Sequence, residues 1–298
     1  MYFTQDKITE IFYLTDEFCL EFQKSIEGHS LGNSPKKKPM MSQSEVISIL
    51  IIFHGMQHKN IKHFYLNYVQ KHLVHLFPNT VSYNRFVELS QQVILPMTMF
   101  LKMQCLGDCT GITYVDSTPI RVCKNKRIKR NKVFKDIATV GKSTMGWFFG
   151  FKLHLIVNEK GDILNFVITQ GNVDDRTPLN DSKFLAKIKG KLYGDKGYIS
   201  SKLTQLLFVD GIQLITGIRD KMKNCLLELK DKILLRKRSV IETINDELKN
   251  ICQVEHSRHR SFENFISNLI SGLIAYSFFP KKPAIKYDVK ITDQIALF

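Results

Sequence analysis

The sequence lacks the features of several common classes of protein. Its six cysteines form no C-x-x-C pair and no regular framework, which predicts reduced, buried thiols in place of a disulfide scaffold. The apolar run at 46–53 is too short to span a bilayer, and serine and asparagine interrupt the longer run at 265–279. The chain does not open with the basic segment and apolar run of a signal peptide. We therefore expect a cytoplasmic protein.

Three catalytic or metal-binding signatures are incomplete. Residues 141–144 read Gly-Lys-Ser-Thr, as at the end of a P-loop, but Asp136 stands where that motif requires glycine. The spacing of Cys252 with the two histidines that follow it suggests zinc, but no second pair of ligands has matching spacing. Residues 256–260 approach the His-x-x-Arg signature of tyrosine recombinases, with histidine at the arginine position. These differences exclude all three functions.

The chain carries a large excess of positive charge. Lysine and arginine number 43 against 28 acidic residues, which gives a net charge of +15. This excess indicates a polyanionic partner, with nucleic acid as the first candidate and an acidic membrane surface as the second. The 298 residues are 44% apolar, enough for a folded core and for two domains.

The first hundred residues have the periodicity of helices. The predicted helices cover residues 4–27, about 42–58, about 60–77 and 82–101, with a polar linker at 28–39. Pro78 stops the third helix, and the fourth is expected to break near Pro96. The segment 82–85, Ser-Tyr-Asn-Arg, could open the recognition helix of a helix-turn-helix module. A helical bundle that packs on the next domain is an equally good interpretation.

From Ile112 onward the pattern changes to strands. Apolar, β-branched runs predict three antiparallel strands, the first of which ends before Pro119. Helices and strands then alternate along the chain. The predicted strands are 112–115, 147–158, 163–169, 192–195 and 212–218. The predicted helices cover about 178–188 and 200–209. This order is typical of a ribonuclease H-like fold, an α/β (α+β) architecture with a mixed five-stranded sheet and flanking helices.

We therefore expect two domains and a tail. An all-α domain at 1–107, with a helix-turn-helix as one interpretation, precedes a ribonuclease H-like catalytic domain at 108–283, and a tail covers 284–298. The catalytic domain holds three notable acids. Asp116 and Asp195 each follow a core strand, and Glu242 lies on one face of an amphipathic helix. Acids in this layout are typical of a site that binds two divalent ions for phosphoryl transfer, and Mg²⁺, for which Mn²⁺ can substitute, suits oxygen ligands.

A second candidate feature is a basic segment directly after the first strand. It has eight lysines and arginines in the fifteen residues 121–135, and it can follow a phosphate backbone or form a mobile solvated loop. The predicted DNA-binding residues there are Lys124, Lys126, Arg127, Lys129, Arg130 and Lys132. Arg258 and Arg260 are a weaker case of the same kind. Trp147 and Phe148 could stack a flipped base, but we expect them to pack in the core.

Several blocks of sequence match a known family. The chain contains VDSTPI, GDKGYI and RSVIETINDELK, followed by EHSRHRS and SGLIAYSFFPKKP. Together, in this order, they resemble the DDE transposases of bacterial insertion sequences, and most closely insertion-sequence family nine-eighty-two. The resemblance covers roughly 112–283. It implies that Asp116, Asp195 and Glu242 are the catalytic and metal-binding triad.

The resemblance also implies partners and further site residues. Related transposases carry a Tyr, Arg, Glu, Lys signature on the last catalytic helix, which Arg238, Glu242 and Lys249 match; Leu235 stands at the tyrosine position. Arg238 and Lys249 would then contact phosphates beside the cleaved bond. The implied partners are terminal inverted repeats and target DNA, with a homodimer in the active complex and a nucleoid-associated location. A structure-selective nuclease or resolvase, and a non-catalytic DNA-binding protein derived from a transposase, are the alternative functions.

Overall fold

A computed structural model describes residues 3–27, 39–218, 227–255, 259–285 and 295–296. These residues form two compact units. The first joins the chain up to Cys105 with Glu247–Pro280, and the second joins Leu106–Asp246 with the described residues from Lys281 on. Residues 247–280 therefore group with the N-terminal helices, although they lie within the range predicted for the catalytic domain. Which function belongs to which unit stays a prediction.

The first unit is helical, as expected. Its longer helices are α1 (Gln5–Glu27), α2 (Gln43–Gly55), α5 (Tyr83–Gln92), α6 (Ile94–Phe100) and α10 (Phe262–Ser277). A capping box begins α2, because the Ser42 side chain accepts from the backbone of Glu45 while the Glu45 carboxylate accepts from the backbone of Ser42. Helices α2 and α10 are mostly buried and form the centre of this unit.

Two predicted helices in this unit have different bounds. The third consists of α3 (Ile61–Phe64), a π-helical segment (Tyr65–Val69) and α4 (Gln70–His72), so it ends before Pro78. The fourth breaks at Val93, three residues before Pro96 and so near it as expected. Pro96 itself lies in the first turn of α6, where its missing N–H costs no helical hydrogen bond. A second π-helical segment, Leu101–Cys105, follows α6.

The second unit is built on a mixed sheet of six strands. They are β1 (Ile112–Cys123), β2 (Thr139–Ser143), β3 (Gly146–Asn158), β4 (Ile163–Gln170), β5 (Gly190–Gly194) and β6 (Ile212–Thr216). The order is β4-β3-β1-β5-β6. Strand β2 also pairs with β3, over residues 146–150, whereas β4 pairs with residues 151–157 of β3. Strands β5 and β6 run parallel to β1, whereas β3 runs antiparallel to it. The predicted ribonuclease H-like class is confirmed, with six strands in place of five.

Three predictions for this unit were wrong. β2 was missed, because its sequence TVGKS has none of the apolar alternation that indicates a strand. β1 does not end before Pro119 but continues to Cys123; it pairs with β5 only over Ile112–Tyr114, so Pro119 has a strand neighbour on one side only. The helix at 178–188 is absent, and a short 3-10 helix at Thr177–Asn180 is followed by turns.

The failure of that helix has a local cause. The apolar residues that suggested it, Leu179, Phe184, Leu185 and Ile188, are indeed buried in the core of the sheet. The side chain of Asn180, however, donates to the carbonyl of Arg176, and Asp181 accepts from the backbone N–H of Lys183. Such local bonds between side chains and backbone compete with a helix, and the segment buries its apolar residues from turns instead.

Three helices complete the second unit. They are α7 (Ser201–Val209), α8 (Leu229–Arg236) and α9 (Ser239–Asn250), and a small sheet pairs β7 (Leu227–Glu228) with β8 (Ile295–Ala296). The division between the units falls within α9, since residues 247–250 group with the first unit. Helix α8, which was not predicted, is bound to β5 by Asp231, whose buried carboxylate accepts from Lys191 and from the Tyr193 hydroxyl at 2.8 and 2.7 Å. Of the predicted tail, only 284–285 and 295–296 are described. Within the described ranges, no helix is long and apolar enough to cross a membrane.

Candidate active site

The register of two parallel strands brings Asp116 and Asp195 together. Tyr114 of β1 pairs with Tyr193 of β5, and each aspartate lies two residues further along its own strand. At this point β5 ends at Gly194 while β1 continues alone beside β3. The carboxyl ends of parallel strands form the usual position for a site in such a sheet. Asp116 therefore lies within β1, and not at its tip as the sequence had suggested.

Helix α9 brings Glu242 and two further side chains to the same place. Arg238, just before the helix, bridges two acids: its Nη2 donates to Oε1 of Glu242 at 2.5 Å, and its Nη1 lies 3.9 Å from Oδ1 of Asp116. Asn245, one turn after Glu242, donates from Nδ2 to Oδ2 of Asp116 at 3.0 Å. The opposite face of α9 is buried through Val240, Ile244 and Leu248, as the helical pattern predicted, and it fixes the helix in place.

The electrostatics of Asp116 reflect this crowding. Burial raises the pKa of Asp116 to about 7, and the Arg238 guanidinium opposes the rise. The nearby carboxylates of Asp195 and Glu242 raise this pKa further, because like charges disfavour ionisation. The three predicted acids thus lie near enough to interact, and Asp116 is the one that both of the others affect.

The turn after β5 explains the sequence Gly-Asp-Lys-Gly-Tyr. Asp195 caps the short 3-10 helix Lys196–Tyr198, since its Oδ1 accepts from the backbone N–H of Gly197 at 2.8 Å. A Cβ on Gly197 would lie 2.9 Å from that oxygen, and one on Gly194 would lie 3.1 Å from the ring of Tyr198. The two glycines therefore allow the backbone of Gly197 to hold the Asp195 carboxylate in position and the ring of Tyr198 to pack against Gly194.

Two residues that sequence reasoning did not select also lie here. The Tyr198 hydroxyl is buried and has no hydrogen-bond partner among the described residues. Burial raises the pKa of Tyr198, and the carboxylates of Asp116, Asp175 and Asp195 add to the effect. Asp175, in the loop after β4, accepts from the Ser117 hydroxyl at 2.7 Å and from Lys152 at 2.8 Å. The only available signal for Asp175 was a pair of acids after a predicted strand, which is common in surface turns.

The chain matches a known family. A family model described as the transposase DDE domain matches residues 106–262, more than half of the chain. The chain belongs to the transposase DDE domain family. Among solved structures it is similar to the piggyBac transposase in a synaptic complex with hairpin DNA, determined by cryo-EM. The identity is 11% over 93% of this chain and 73% of that chain, with a TM-score of 0.42. No curated protein matches it in sequence.

The chemistry of the donors in this transposase fits a divalent cation. Carboxylate oxygens are the ligands that Mg²⁺ prefers. Two further buried oxygens nearby, Oδ1 of Asn245 and the Tyr198 hydroxyl, have no hydrogen-bond partner in the part of the chain that the structure describes. Among the described residues, however, no group of three His, Cys, Asp or Glu side chains is close enough to hold one ion. The Arg238 guanidinium instead supplies positive charge to Asp116 and Glu242.

The basic segment of the transposase lies on the surface. Part of it forms a 3-10 helix, Asn125–Arg130, which we call the basic turn. The six predicted DNA-binding residues, Lys124, Lys126, Arg127, Lys129, Arg130 and Lys132, are all exposed. Within the described ranges no ion pair holds these six cations, so they are available to phosphates.

The other predicted contact residues differ in their surroundings. Lys249 lies 3.6 Å from Glu255 in the helical unit, and Arg260 is exposed there. Arg258 falls outside the described residues. Phe148 is fully buried, as expected, whereas Trp147 is 62% exposed, so the prediction that both pack in the core was wrong for Trp147. Neighbouring residues of a strand point to opposite faces, which separates the two rings.

Proposed function

We propose that this transposase belongs to insertion-sequence family nine-eighty-two, binds terminal inverted repeats, and cleaves and joins DNA strands with Asp116, Asp195 and Glu242. The observation that carries the proposal is the register of β1 and β5. It places two acids side by side, and α9 adds the third acid next to them. Three interacting carboxylates are unfavourable in a partly buried site unless the function of that site requires them.

The chain's own residues have distinct parts in the proposed reaction. Asp116, Asp195 and Glu242 would hold Mg²⁺, with Mn²⁺ as a substitute, and the bound ions would neutralise charge on the attacking and leaving oxygens at phosphorus. Asn245 keeps Oδ2 of Asp116 oriented through its 3.0 Å hydrogen bond. Arg238 would leave Glu242 to bind a phosphate next to the cleaved bond, since a guanidinium matches two phosphate oxygens at once.

DNA binding by this transposase would use both units. The basic turn offers phosphate contacts that are independent of sequence. In the helical unit, Ser82 caps α5 and leaves Asn84 and Arg85 exposed at its start, which suits a recognition helix that reads base edges. Arg260 and Lys249 would add backbone contacts. Two copies of the chain would bring the two ends of the element together, and the bound chromosome would keep the protein at the nucleoid.

The decisive experiment replaces each acid by its isosteric amide. Asp116→Asn, Asp195→Asn and Glu242→Gln should each abolish nicking and strand transfer on a terminal-repeat duplex, because the carboxylate charge is lost. End binding should persist, because lysine and arginine provide most of the affinity. Asp246→Asn is the matched control, since it removes the same charge from the exposed face of α9. Normal cleavage by Asp195→Asn in Mg²⁺, or a covalent protein–DNA adduct, would refute the proposal.

A further inference from the structure

The single tryptophan of the chain is displayed on the surface. Trp147 is 62% exposed at the start of β3, and it pairs there with Lys142 of β2. The ammonium of Lys142 lies 5.8 Å from the centroid of the indole ring. A tryptophan is the largest apolar side chain, and leaving so much of it in water forgoes the free energy of its burial. A large exposed ring held on a strand is therefore a candidate for binding.

The surroundings of Trp147 combine apolar and basic groups. Met145, in the turn between β2 and β3, is 81% exposed, and Val140 on β2 is 43% exposed. The side chain of Asn125 donates to the carbonyl of Trp147 at 2.8 Å, which joins the start of the basic turn to the strand that carries the ring. Asp136 is the only acid in the sequence from 121 to 150. The segment that carries this surface is therefore basic as well as aromatic.

That combination restricts the possible occupant. An apolar patch could bind a second copy of the chain, but a symmetric contact would bring two basic surfaces together and would be opposed by their repulsion. A phosphate backbone has the opposite charge. Inside duplex DNA the faces of the bases are covered by their neighbours in the stack, so an indole ring reaches a base face without unstacking the duplex where a base is unpaired. Proteins that bind single strands combine a basic groove with aromatic platforms in this way.

We propose that Trp147 stacks on unpaired bases of DNA while the basic turn holds the adjoining phosphates. The surface thus binds single-stranded DNA without regard to sequence, since every base has a π-face. This inference rests on the proposed function for its relevance to DNA, but its residues are distinct from the triad. It gives the transposase a place to hold a strand that has separated from its complement.

The tryptophan fluorescence of the protein reports on this site directly, because Trp147 is the single tryptophan of the chain. Full-length protein is titrated with an oligothymidylate and, separately, with an abasic oligomer of the same length and charge. Oligothymidylate should quench the emission, because stacking places a base against the indole. The abasic oligomer should bind through its phosphates at low salt and leave the emission nearly unchanged. Equal quenching by both oligomers would overturn the proposal, since the ring would then not contact bases.

Variants separate stacking from general effects on the surface. Trp147→Ala should weaken binding of the oligothymidylate about tenfold. Trp147→Phe should keep most of the wild-type affinity, because a phenyl ring still stacks on a base. Phe208→Ala is the matched control, since Phe208 is 73% exposed on α7, outside the hairpin and the basic turn. Its affinity should equal that of the wild type. An equal loss in Phe208→Ala, or an unchanged affinity in Trp147→Ala, would overturn the proposal.

Three further outcomes identify which statement fails. If Trp147→Ala alters the sedimentation of the protein but not its affinity for the oligothymidylate, a second copy occupies the surface and the proposal is wrong. Cleavage that depends on the triad, without quenching by the oligothymidylate, would overturn the stacking site and leave the proposed function intact. Quenching by the oligothymidylate without any cleavage would overturn the proposed function and leave the stacking site intact.

Discussion

The side-chain amide of Asn245 donates a hydrogen bond to Oδ2 of Asp116 at 3.0 Å. Asn245 lies on α9 one helical turn after Glu242. The amide oxygen, Oδ1, is buried, and no described residue forms a hydrogen bond with it. Asn245 thus binds Asp116 through its amide nitrogen, while its amide oxygen accepts no hydrogen bond from the described residues. A buried polar atom of this kind is costly unless a ligand satisfies it. This relationship makes Asn245 a positioning residue for Asp116.

Replacing Asn245 should therefore change the pH dependence of cleavage as well as its rate. Asn245→Ala removes a donor that favours the ionised form of Asp116, so the acidic limb of the pH–rate profile should move to higher pH. A hydrogen bond to a charged group contributes about 1.5–3 kcal/mol, which predicts a loss of roughly tenfold to a hundredfold in rate. Thr243→Ala, on the exposed part of the same helix, should leave the profile in place. A slower enzyme with an unshifted profile would contradict the positioning role.

Arg238 should affect metal and DNA binding in opposite directions. Its guanidinium now supplies the positive charge for Asp116 and Glu242, so Arg238→Gln should raise the affinity for Mn²⁺ without DNA by severalfold. The same change should weaken binding of the terminal repeat, because a phosphate contact is lost. Electron paramagnetic resonance measures free Mn²⁺, and Arg236→Gln removes the same charge from an exposed neighbour. A fall in Mn²⁺ affinity in Arg238→Gln would show that the arginine does not compete with the ion.

The acids of the site could be predicted because each follows or lies on an element with a strong local pattern. The runs before Asp116 and Asp195 are apolar and β-branched or aromatic, and the helix of Glu242 has a continuous apolar face. The structure adds what the pattern could not contain, namely the pairing of Tyr114 with Tyr193 that sets the two aspartates side by side. Register depends on contacts between distant segments, and no local pattern encodes it.

The residues that were missed share a dependence on tertiary structure. Asp175 lies in a loop whose sequence is that of an ordinary turn, and Tyr198 reads as one more core aromatic. The exposure of Trp147 was missed for a related reason, because β2, which pairs with it, has no apolar alternation to reveal the hairpin. In each case the position of the side chain is set by contacts between distant segments, which the local sequence does not show.

The basic turn should dominate the salt dependence of DNA binding. Replacing Lys126, Arg127, Lys129 and Arg130 with alanine removes four exposed cations, and the slope of log K against log salt should fall by about 3 to 4. Binding to duplexes of any sequence, followed at several salt concentrations, measures the slope. The control removes four other exposed cations of the same unit, Lys183, Lys187, Lys189 and Lys202. Equal slopes for the two quadruple variants would show that the basic turn makes no special contact.

The helical unit should lose stability at mildly acidic pH because of His54. This ring is fully buried in α2, where its two nitrogens contact the carbonyl of Cys252 and the Ser271 hydroxyl. Burial lowers the pKa of His54 to about 4, the carbonyl of Cys252 opposes that change, and the nearby ring of His259 adds to it. The unfolded chain, with a histidine pKa near 6.5, therefore binds a proton more readily than the folded one. The stability that the neutral ring provides is fully present above pH 6.5 and is lost as the pH falls toward 4.

This titration has a predictable size and a direct measurement. Between pH 8 and pH 5 the free energy of unfolding should decrease by about 2 kcal/mol through His54 alone, as urea denaturation at each pH would record. His54→Gln keeps an amide that can bond to Cys252 and Ser271 but cannot titrate in this range. Its stability at pH 8 should be lower than that of the wild type, yet its decline toward pH 5 should be smaller by about the same 2 kcal/mol. His63→Gln, at an exposed position on α3, is the matched control and should keep the full decline. If His54→Gln loses stability toward pH 5 as steeply as His63→Gln, the buried ring is not the group that titrates.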